Sequence, residues 1–153
     1  MLNKDISKMT PYEMFNIECG DGWKELYQPL IDFVENYNKE HINDEPKSCL
    51  EITQIKEKFG GLRFYWCGEN IPSNIVVQLH EMVQNAEEMS YKTCETCGSK
   101  KNVGLTIDGW YTTICEDCLI KAINKGMRER KWKMNDIIYL VNKEGKQKYE
   151  QNK

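Results

Sequence analysis

The chain has 153 residues, 40% of them hydrophobic, which suits one folded domain with a packed interior and excludes a disordered or fibrous protein. No stretch approaches the ~18 apolar residues needed to span a bilayer, and no secretory signal is recognised at the N-terminus, so a cytoplasmic protein is expected. The net charge of −3 is unevenly spread: residues 121–153 hold 10 Lys and Arg against 4 Asp and Glu, which favours an anionic partner in this part.

Two helices are predicted in the first part of the chain. A short helix starts at residues 10–13, where a hydroxyl, a proline and a carboxylate form a helix-start signal. A longer helix covers about 22–41, with Asp21 as a candidate cap and Pro29 predicting a kink or a restart. Its apolar face consists of Trp23, Leu26, Tyr27, Leu30, Ile31 and Val34.

Residues 50–67 predict a β-hairpin whose turn lies at the glycine pair 60–61. The alternation of apolar and polar residues is typical of a hairpin with one buried and one solvated face. The alternative is that the outer face presents cations and an aromatic plane to a phosphate or a base, although Glu57 lies among these cations. The residues that would bind such a ligand are Lys56, Lys58, Arg63 and Tyr65.

A further helix follows, with Ser73 as its predicted cap. Its apolar positions recur at three and four residues and consist of Ile75, Val76, Leu79, Met82, Val83, Ala86 and Met89. His80 lies off this face, so it is expected to be a solvated side chain without a catalytic role.

Four cysteines give the most specific signal in the chain. Cys94 and Cys97 form one C-x-x-C pair, and Cys115 and Cys118 form a second one after a spacer of 17 residues. This spacing is typical of structural Zn²⁺, and four thiolate ligands leave no open position for chemistry. The remaining three, Cys19, Cys49 and Cys67, are predicted to be buried thiols, because disulfides are rare in the cytoplasm.

The segment around the cysteines predicts a treble-clef zinc finger. A knuckle with glycine after its second ligand is followed by a hairpin, whose strands at 102–107 and 110–114 are joined by Asp108-Gly109. A ligand-bearing helix then runs from Cys115 to about Arg130. A terminal hairpin is predicted at 137–149.

The end of this helix is rich in cations, and two interpretations remain open. In the first, these cations bind a nucleic-acid backbone while an aromatic side chain among them stacks on a base. In the second, they are solvated side chains at the C-terminal end of a helix, where the helix dipole favours positive charge. The residues of this second predicted ligand site are Lys121, Lys125, Arg128, Arg130 and Trp132.

No catalytic residues are identified. Nuclease sites built on treble-clef fingers need a histidine base near the finger, but His41 and His80 both lie outside it. The sequence also lacks a phosphate-binding glycine loop, a paired-histidine motif and a nucleophile elbow. A protein that is not an enzyme is therefore expected.

Three strings carry a resemblance to a known family. They are Glu-Cys-Gly-Asp-Gly-Trp at 18–23, Gln-Ile-Lys-Glu-Lys-Phe-Gly-Gly-Leu-Arg-Phe-Tyr at 54–65, and the two cysteine segments. Over roughly 15–120 the chain resembles a family of small uncharacterised bacteriophage and prophage proteins. The resemblance implies phage origin and an accessory role in the host cytoplasm, and it carries over no catalytic residues.

Together these patterns predict an α+β fold, a small helical and β-hairpin domain with an integrated treble-clef zinc finger. The predicted parts are an α+β domain at 1–91, the finger at 92–131 and a C-terminal hairpin at 132–153.

The expected function is a zinc-stabilised, non-enzymatic accessory protein that binds a nucleotide or a nucleic acid, for example to sequester a nucleotide signal of host antiphage immunity. The alternative is a protein-interaction module that inhibits a host enzyme, with Trp110, Tyr111 and Trp132 as anchors. Ionic strength separates the two classes, because phosphate binding weakens steeply with salt.

Overall fold

The computed structural model describes residues 17–150 and has the predicted α+β architecture, with three α-helices and two β-sheets. The helices are α1 (Lys24–Glu40), α2 (Ser73–Ser90) and α3 (Glu116–Asn124). The strands are β1 (Ile17–Glu18), β2 (Cys49–Lys58), β3 (Gly61–Glu69), β4 (Val103–Thr106), β5 (Thr113–Cys115), β6 (Arg130–Met134), β7 (Ile137–Asn142) and β8 (Gly145–Lys148). The helix predicted at 10–13 lies outside the described residues. No helix within 17–150 is long and apolar enough to cross a bilayer.

The first sheet has the order β1-β2-β3, and α1 and α2 pack against it. Strand β1 runs parallel to β2, whereas β2 and β3 form the antiparallel hairpin that the alternating pattern predicted. The helices and the inner face of the hairpin enclose one apolar core. It consists of Trp23, Tyr27, Leu30, Ile31, Val34, Tyr37, Leu50, Ile55, Leu62, Phe64, Leu79, Val83 and Ala86.

Both predicted helix caps are wrong. Asp21 lies within a short 3₁₀ turn before α1, and α2 begins at Ser73 itself after an extended Pro72; neither helix has a side-chain cap. Before α1, the backbone N–H of Gly22 instead donates to the carbonyl oxygen of Glu95, so a distant segment satisfies it. Helix α1 also continues through Pro29 instead of restarting there.

The turn of the hairpin is shifted by one residue from its predicted position. Phe59 and Gly60 are the two turn residues, with φ values of 53° and 83°, as a primed two-residue turn requires. Gly61 belongs to β3, and a Cβ there would overlap the hydroxyl group of Tyr91. Gly60 is therefore required for the positive φ of the turn, and Gly61 for close contact with Tyr91. The sequence alone does not distinguish these two roles.

The second sheet has the order β5-β4-β6-β7-β8 and is antiparallel throughout. The prediction that the finger helix reaches Arg130 is wrong, because α3 ends at Asn124 and Gly126 follows with a φ of 118°. The chain then returns as β6 and pairs with β4. Strand β6 crosses the domain boundary placed after residue 131, so the finger hairpin and the terminal hairpin share one sheet.

A second core lies between α3 and this sheet, and Trp132 is fully buried in it. Its indole Nε1 donates to the carbonyl oxygen of Ile114 at 3.0 Å, and a Cβ on Gly104 would overlap the ring. The cluster consists of Cys94, Ile114, Cys115, Leu119, Ile123, Trp132 and Val141. The prediction of Trp132 as a base-stacking side chain or a protein anchor is therefore wrong.

The cysteine knuckle joins the two cores. The indole Nε1 of buried Trp23 donates to the carbonyl oxygen of Thr93 at 2.8 Å. The N–H of Glu95 donates to the carbonyl oxygen of Thr113 at 3.0 Å, and the hydroxyl of Thr113 donates to the carbonyl oxygen of Gly60 at the hairpin turn. The cysteine knuckle and β5 thus fix the position of the hairpin tip.

Candidate functional site

The four predicted cysteines form one cluster. The sulfur atoms of Cys94, Cys97, Cys115 and Cys118 all lie within 4.8 Å of one another. The Sγ atoms of Cys97 and Cys115 are 3.7 Å apart, and neither is in a disulfide. Tetrahedral Zn²⁺ with Zn–S bonds of about 2.3 Å places its sulfur ligands about 3.8 Å apart, so the size of the cluster fits such an ion.

Local backbone structure holds the four sulfurs in place. The N–H of Cys94 donates to the carbonyl oxygen of Ser99 at 2.7 Å, and Gly98 closes the knuckle with a φ of 81°. Cys115 is the N-cap of α3, where its Sγ accepts the N–H of Cys118 at 3.5 Å. Knuckle, hairpin and ligand-bearing helix follow one another as predicted for a treble-clef finger.

The electrostatics of the cluster also fit a cation. Burial raises the pKa of Cys94, but backbone N–H groups of Cys115, Cys97 and Thr96 outweigh it, so the pKa is lowered overall. Burial and neighbouring sulfurs raise the pKa values of Cys115 and Cys118. Thiolates this close repel one another, and a bound cation removes that repulsion.

The remaining three cysteines do not form a second cluster within the described residues. Cys67 is exposed, and Cys19 and Cys49 are half-buried, so the prediction of three buried thiols is wrong for Cys67. Burial raises the pKa of Cys19 to about 12, with Glu95 and Asp21 adding to the effect. We therefore expect the Cys19 thiol to be protonated at neutral pH.

A cleft of about 520 Å³ lies between the hairpin tip and the β4–β5 loop. We call it the aromatic cleft; it is lined by Lys56, Glu57, Lys58, Phe59, Gly109, Trp110 and Tyr111. The side chain of Trp110 is 75% exposed and that of Phe59 66% exposed. Large aromatic groups that stay exposed beside cations are typical of binding surfaces. The sequence pattern predicted the two lysines but missed Phe59.

The lysines of the aromatic cleft are available to a ligand. Glu57 also lines the cleft, but its Oε2 accepts the N–H of Gly60 at 2.7 Å. Lys58 Nζ lies 5.7 Å from the ring centre of Phe59, and no ion pair involves either lysine within residues 17–150. The acidic residue that weakened the sequence prediction is thus engaged in stabilising the turn.

An ion-pair network fixes the loop that carries Trp110. Asp108 Oδ1 lies 2.8 Å from Arg130 Nε, and Asp108 Oδ2 lies 3.1 Å from Arg128 Nη1. Arg130 also donates to the carbonyl oxygen of Trp110 at 3.0 Å and is only 7% exposed. Arg128 and Arg130 were predicted to bind a ligand from the surface of a helix. In the structure they instead hold the loop through Asp108 and Trp110.

We expect Asp108→Asn to destabilise this loop, because it leaves buried Arg130 without its carboxylate. Loss of one partner of a buried ion pair costs about 3 kcal/mol. Burial raises the pKa of Asp108, but Arg130 and other donors lower it below its ordinary value overall. The ion pair between Asp108 and Arg130 therefore stabilises the folded protein at pH values above the ordinary aspartate pKa. This stabilisation disappears as the pH falls through the lower pKa that Asp108 has in the folded protein.

Urea unfolding at neutral and acidic pH measures this effect. The difference between wild type and Asp108→Asn should shrink in acid. The control Glu81→Gln neutralises an exposed carboxylate on α2 and should change stability little. Equal stability of Asp108→Asn and wild type at neutral pH would contradict the structural role of the network.

The hairpin site predicted from the sequence is divided in the structure. Lys56 and Lys58 line the aromatic cleft, but the guanidinium of Arg63 donates to the hydroxyl of Tyr91 at 3.0 Å and to the carbonyl oxygen of Leu62 at 2.9 Å. The remaining predicted residues, Tyr65, Lys121 and Lys125, are exposed but do not line this cleft.

Comparison of the chain with protein-family models, with curated proteins and with solved structures finds no match. These comparisons therefore lend no support to the phage resemblance.

Proposed function

We propose that the protein is a zinc-stabilised, non-enzymatic binding module whose aromatic cleft takes a ligand with both a planar base and a phosphate. A nucleotide or a nucleic acid has this chemistry. One observation carries the proposal: Lys56 and Lys58 line the same cleft as the exposed rings of Phe59, Trp110 and Tyr111.

Zinc suits the cysteine cluster because borderline-soft Zn²⁺ prefers thiolate ligands in tetrahedral geometry. All four positions would be taken by the cysteine sulfurs. The ion would then stabilise the fold and have no site at which to activate water.

The chemistry of the aromatic cleft supports a ligand with two kinds of contact. Bases stack on exposed aromatic rings with little sequence preference, and such stacking contributes about 1–3 kcal/mol per base. Lysine ammonium groups attract phosphate oxygens, most strongly at low ionic strength. A purely apolar ligand would leave Lys56 and Lys58 without counter-charge.

A binding role without catalysis is supported by the histidines. His41 Nδ1 lies 2.8 Å from Asp44 Oδ2 and its ring stacks on Tyr37, while His80 is exposed on α2. Neither lines the aromatic cleft. On the phage resemblance, the ligand would be a nucleotide signal of host immunity, a narrower proposal that rests on that resemblance alone.

A protein partner is the second candidate function, because Trp110 and Phe59 are exposed enough to serve as anchors. Ionic strength distinguishes the two. Binding through phosphates should weaken steeply as salt rises, whereas an aromatic contact with a protein should change little.

We expect the double variant Lys56→Gln/Lys58→Gln to bind fluorescently labelled ATP about tenfold more weakly than wild type, measured by anisotropy at low salt. Unlabelled ATP should compete better than adenosine or tripolyphosphate, since each of these supplies only half of the contacts. The ATP should be recovered unchanged after incubation.

The matched control is Lys39→Gln/Lys143→Gln, which removes two exposed lysines that do not line the aromatic cleft. It should bind the labelled ATP as wild type does. If wild type binds neither ATP nor an oligonucleotide at low salt, or if both double variants weaken binding equally, the proposed function is wrong.

A further inference from the structure

A second cleft, of about 550 Å³, lies between the end of α2 and the second sheet. We call it the lysine cleft. Its lining includes Tyr91, Lys92, Lys100, Leu105, Thr113 and Lys133.

The lysine cleft has a positive lining. Lys92, Lys100 and Lys133 face a single acidic residue, Asp136, and all three lysines are exposed. None of the three has an ion pair in the part of the chain that the structure describes. Arg63 adds a further cation at the edge, since its guanidinium contacts the hydroxyl of Tyr91. A concave surface with three ammonium groups that have no ion pair is better suited to a ligand with several phosphates than to a ligand with a single phosphate.

The two clefts adjoin each other at the hairpin tip. The turn residue Gly60 packs against Leu105 and accepts the hydroxyl of Thr113, and both of these residues line the lysine cleft. The other turn residue, Phe59, lines the aromatic cleft. The β4–β5 hairpin extends from one cleft to the other, because its loop carries Trp110 and its strands carry Leu105 and Thr113.

We infer that the lysine cleft is a backbone-binding subsite, and that the ligand is a single-stranded nucleic acid running from the aromatic cleft past the hairpin tip. This inference rests on the proposed function and extends it. A mononucleotide fills one cleft only, whereas a strand of several nucleotides supplies phosphates to the second. A duplex keeps its bases paired and stacked, so it cannot use the aromatic rings in the same way.

The test compares a labelled 12-nucleotide oligothymidylate with labelled ATP on the zinc-loaded protein. Wild type should bind the oligonucleotide at least about tenfold more tightly than ATP, because its additional phosphates contact the lysine cleft. A tenfold difference corresponds to about 1.4 kcal/mol of binding free energy. The triple variant Lys92→Gln/Lys100→Gln/Lys133→Gln should lose this advantage and keep ATP binding. Its log–log salt slope should flatten by about 2, at about 0.7 per lost single-strand contact.

Zinc content and melting temperature are measured for every variant, and Lys39→Gln/Lys143→Gln again serves as the control. If wild type binds ATP and the oligonucleotide equally well, or the triple variant keeps the advantage of the oligonucleotide, the inference is wrong and the proposed function stands. If a 12-base-pair duplex binds more tightly than the single strand, the inference is also wrong. If no nucleotide or oligonucleotide binds wild type, both fail.

Discussion

Removal of the proposed zinc ion by a chelator is expected to unfold the segment from Thr93 to Lys148 and to abolish the aromatic cleft. Binding of structural zinc contributes about 10–16 kcal/mol in isolated fingers, as much as the whole unfolding free energy of a typical domain. Cys94 and Cys115 are both buried members of the second core, so removing the metal takes away the ligand bonds that would tie the cysteine knuckle to the start of α3 inside that core.

Loss of the second core should also loosen the first one. Trp23 is held through Thr93, and the hairpin tip is held through Thr113. Both partners flank the cysteine cluster in the fold. The aromatic cleft should therefore disappear together with the metal, because the hairpin and the Trp110 loop no longer have a fixed relative position.

Circular dichroism melting with and without a strong chelator tests this expectation, with the released metal quantified by a colorimetric indicator. Cys94→Ser should reproduce the effect of the chelator, and Cys67→Ser, an exposed thiol outside the cluster, should not. An unchanged melting curve after verified removal of the metal would contradict the role of the cluster.

Trp132→Ala is expected to cause the second largest loss, about 3–5 kcal/mol of unfolding free energy, because it empties a fully buried indole site. It also leaves the carbonyl oxygen of Ile114 without its donor. The neighbouring Gly104 cannot fill the space, since it has no side chain. Urea unfolding of the zinc-loaded protein measures the change.

Trp110→Ala is the matched comparison. The backbone carbonyl of Trp110 accepts Arg130 and Thr106, but its side chain is exposed, so stability should change by less than about 0.5 kcal/mol. Binding of labelled ATP should instead fall about tenfold or more, through lost stacking. Strong destabilisation by Trp110→Ala without loss of binding would contradict the assignment of the two tryptophans.

The features that the sequence predicted well are those with a local physical cause. The two C-x-x-C pairs predicted the cluster because the ligand spacing of a zinc knuckle is fixed by backbone geometry. The alternation in β2 and β3 predicted the hairpin faces, and the periodicity of α1 and α2 predicted most of their buried sides. Leu62 and Leu79, for example, are completely buried. Val76 and Met89, which belong to the predicted apolar face of α2, are exposed.

The features that it missed depend on tertiary structure. The cations after Cys118 continue a helix-like pattern, but Gly126 ends the helix and β6 pairs with β4, so Arg130 becomes the buried partner of Asp108. Nothing local distinguishes Gly60 from Gly61, and the contact that Gly61 makes with Tyr91 is between residues thirty positions apart.

The aromatic cleft could not be predicted for the same reason. Its lysines and its exposed aromatic residues come from two hairpins that lie some fifty residues apart in the chain. The hydrogen bond between Thr113 and Gly60 brings those hairpins together. A pattern search along the sequence treats them as separate segments.

Nuclear magnetic resonance of the ¹⁵N-labelled, zinc-loaded protein tests the central claim most directly, because the four tryptophans give four separate indole N–H signals. On titration with ATP, the indole signal of Trp110 and the backbone amide signals of 56–59 and 109–111 should shift. The indole signals of Trp23 and Trp132, which are buried and hydrogen-bonded, should stay in place. A Trp110 signal that does not move at saturating ATP would contradict the account.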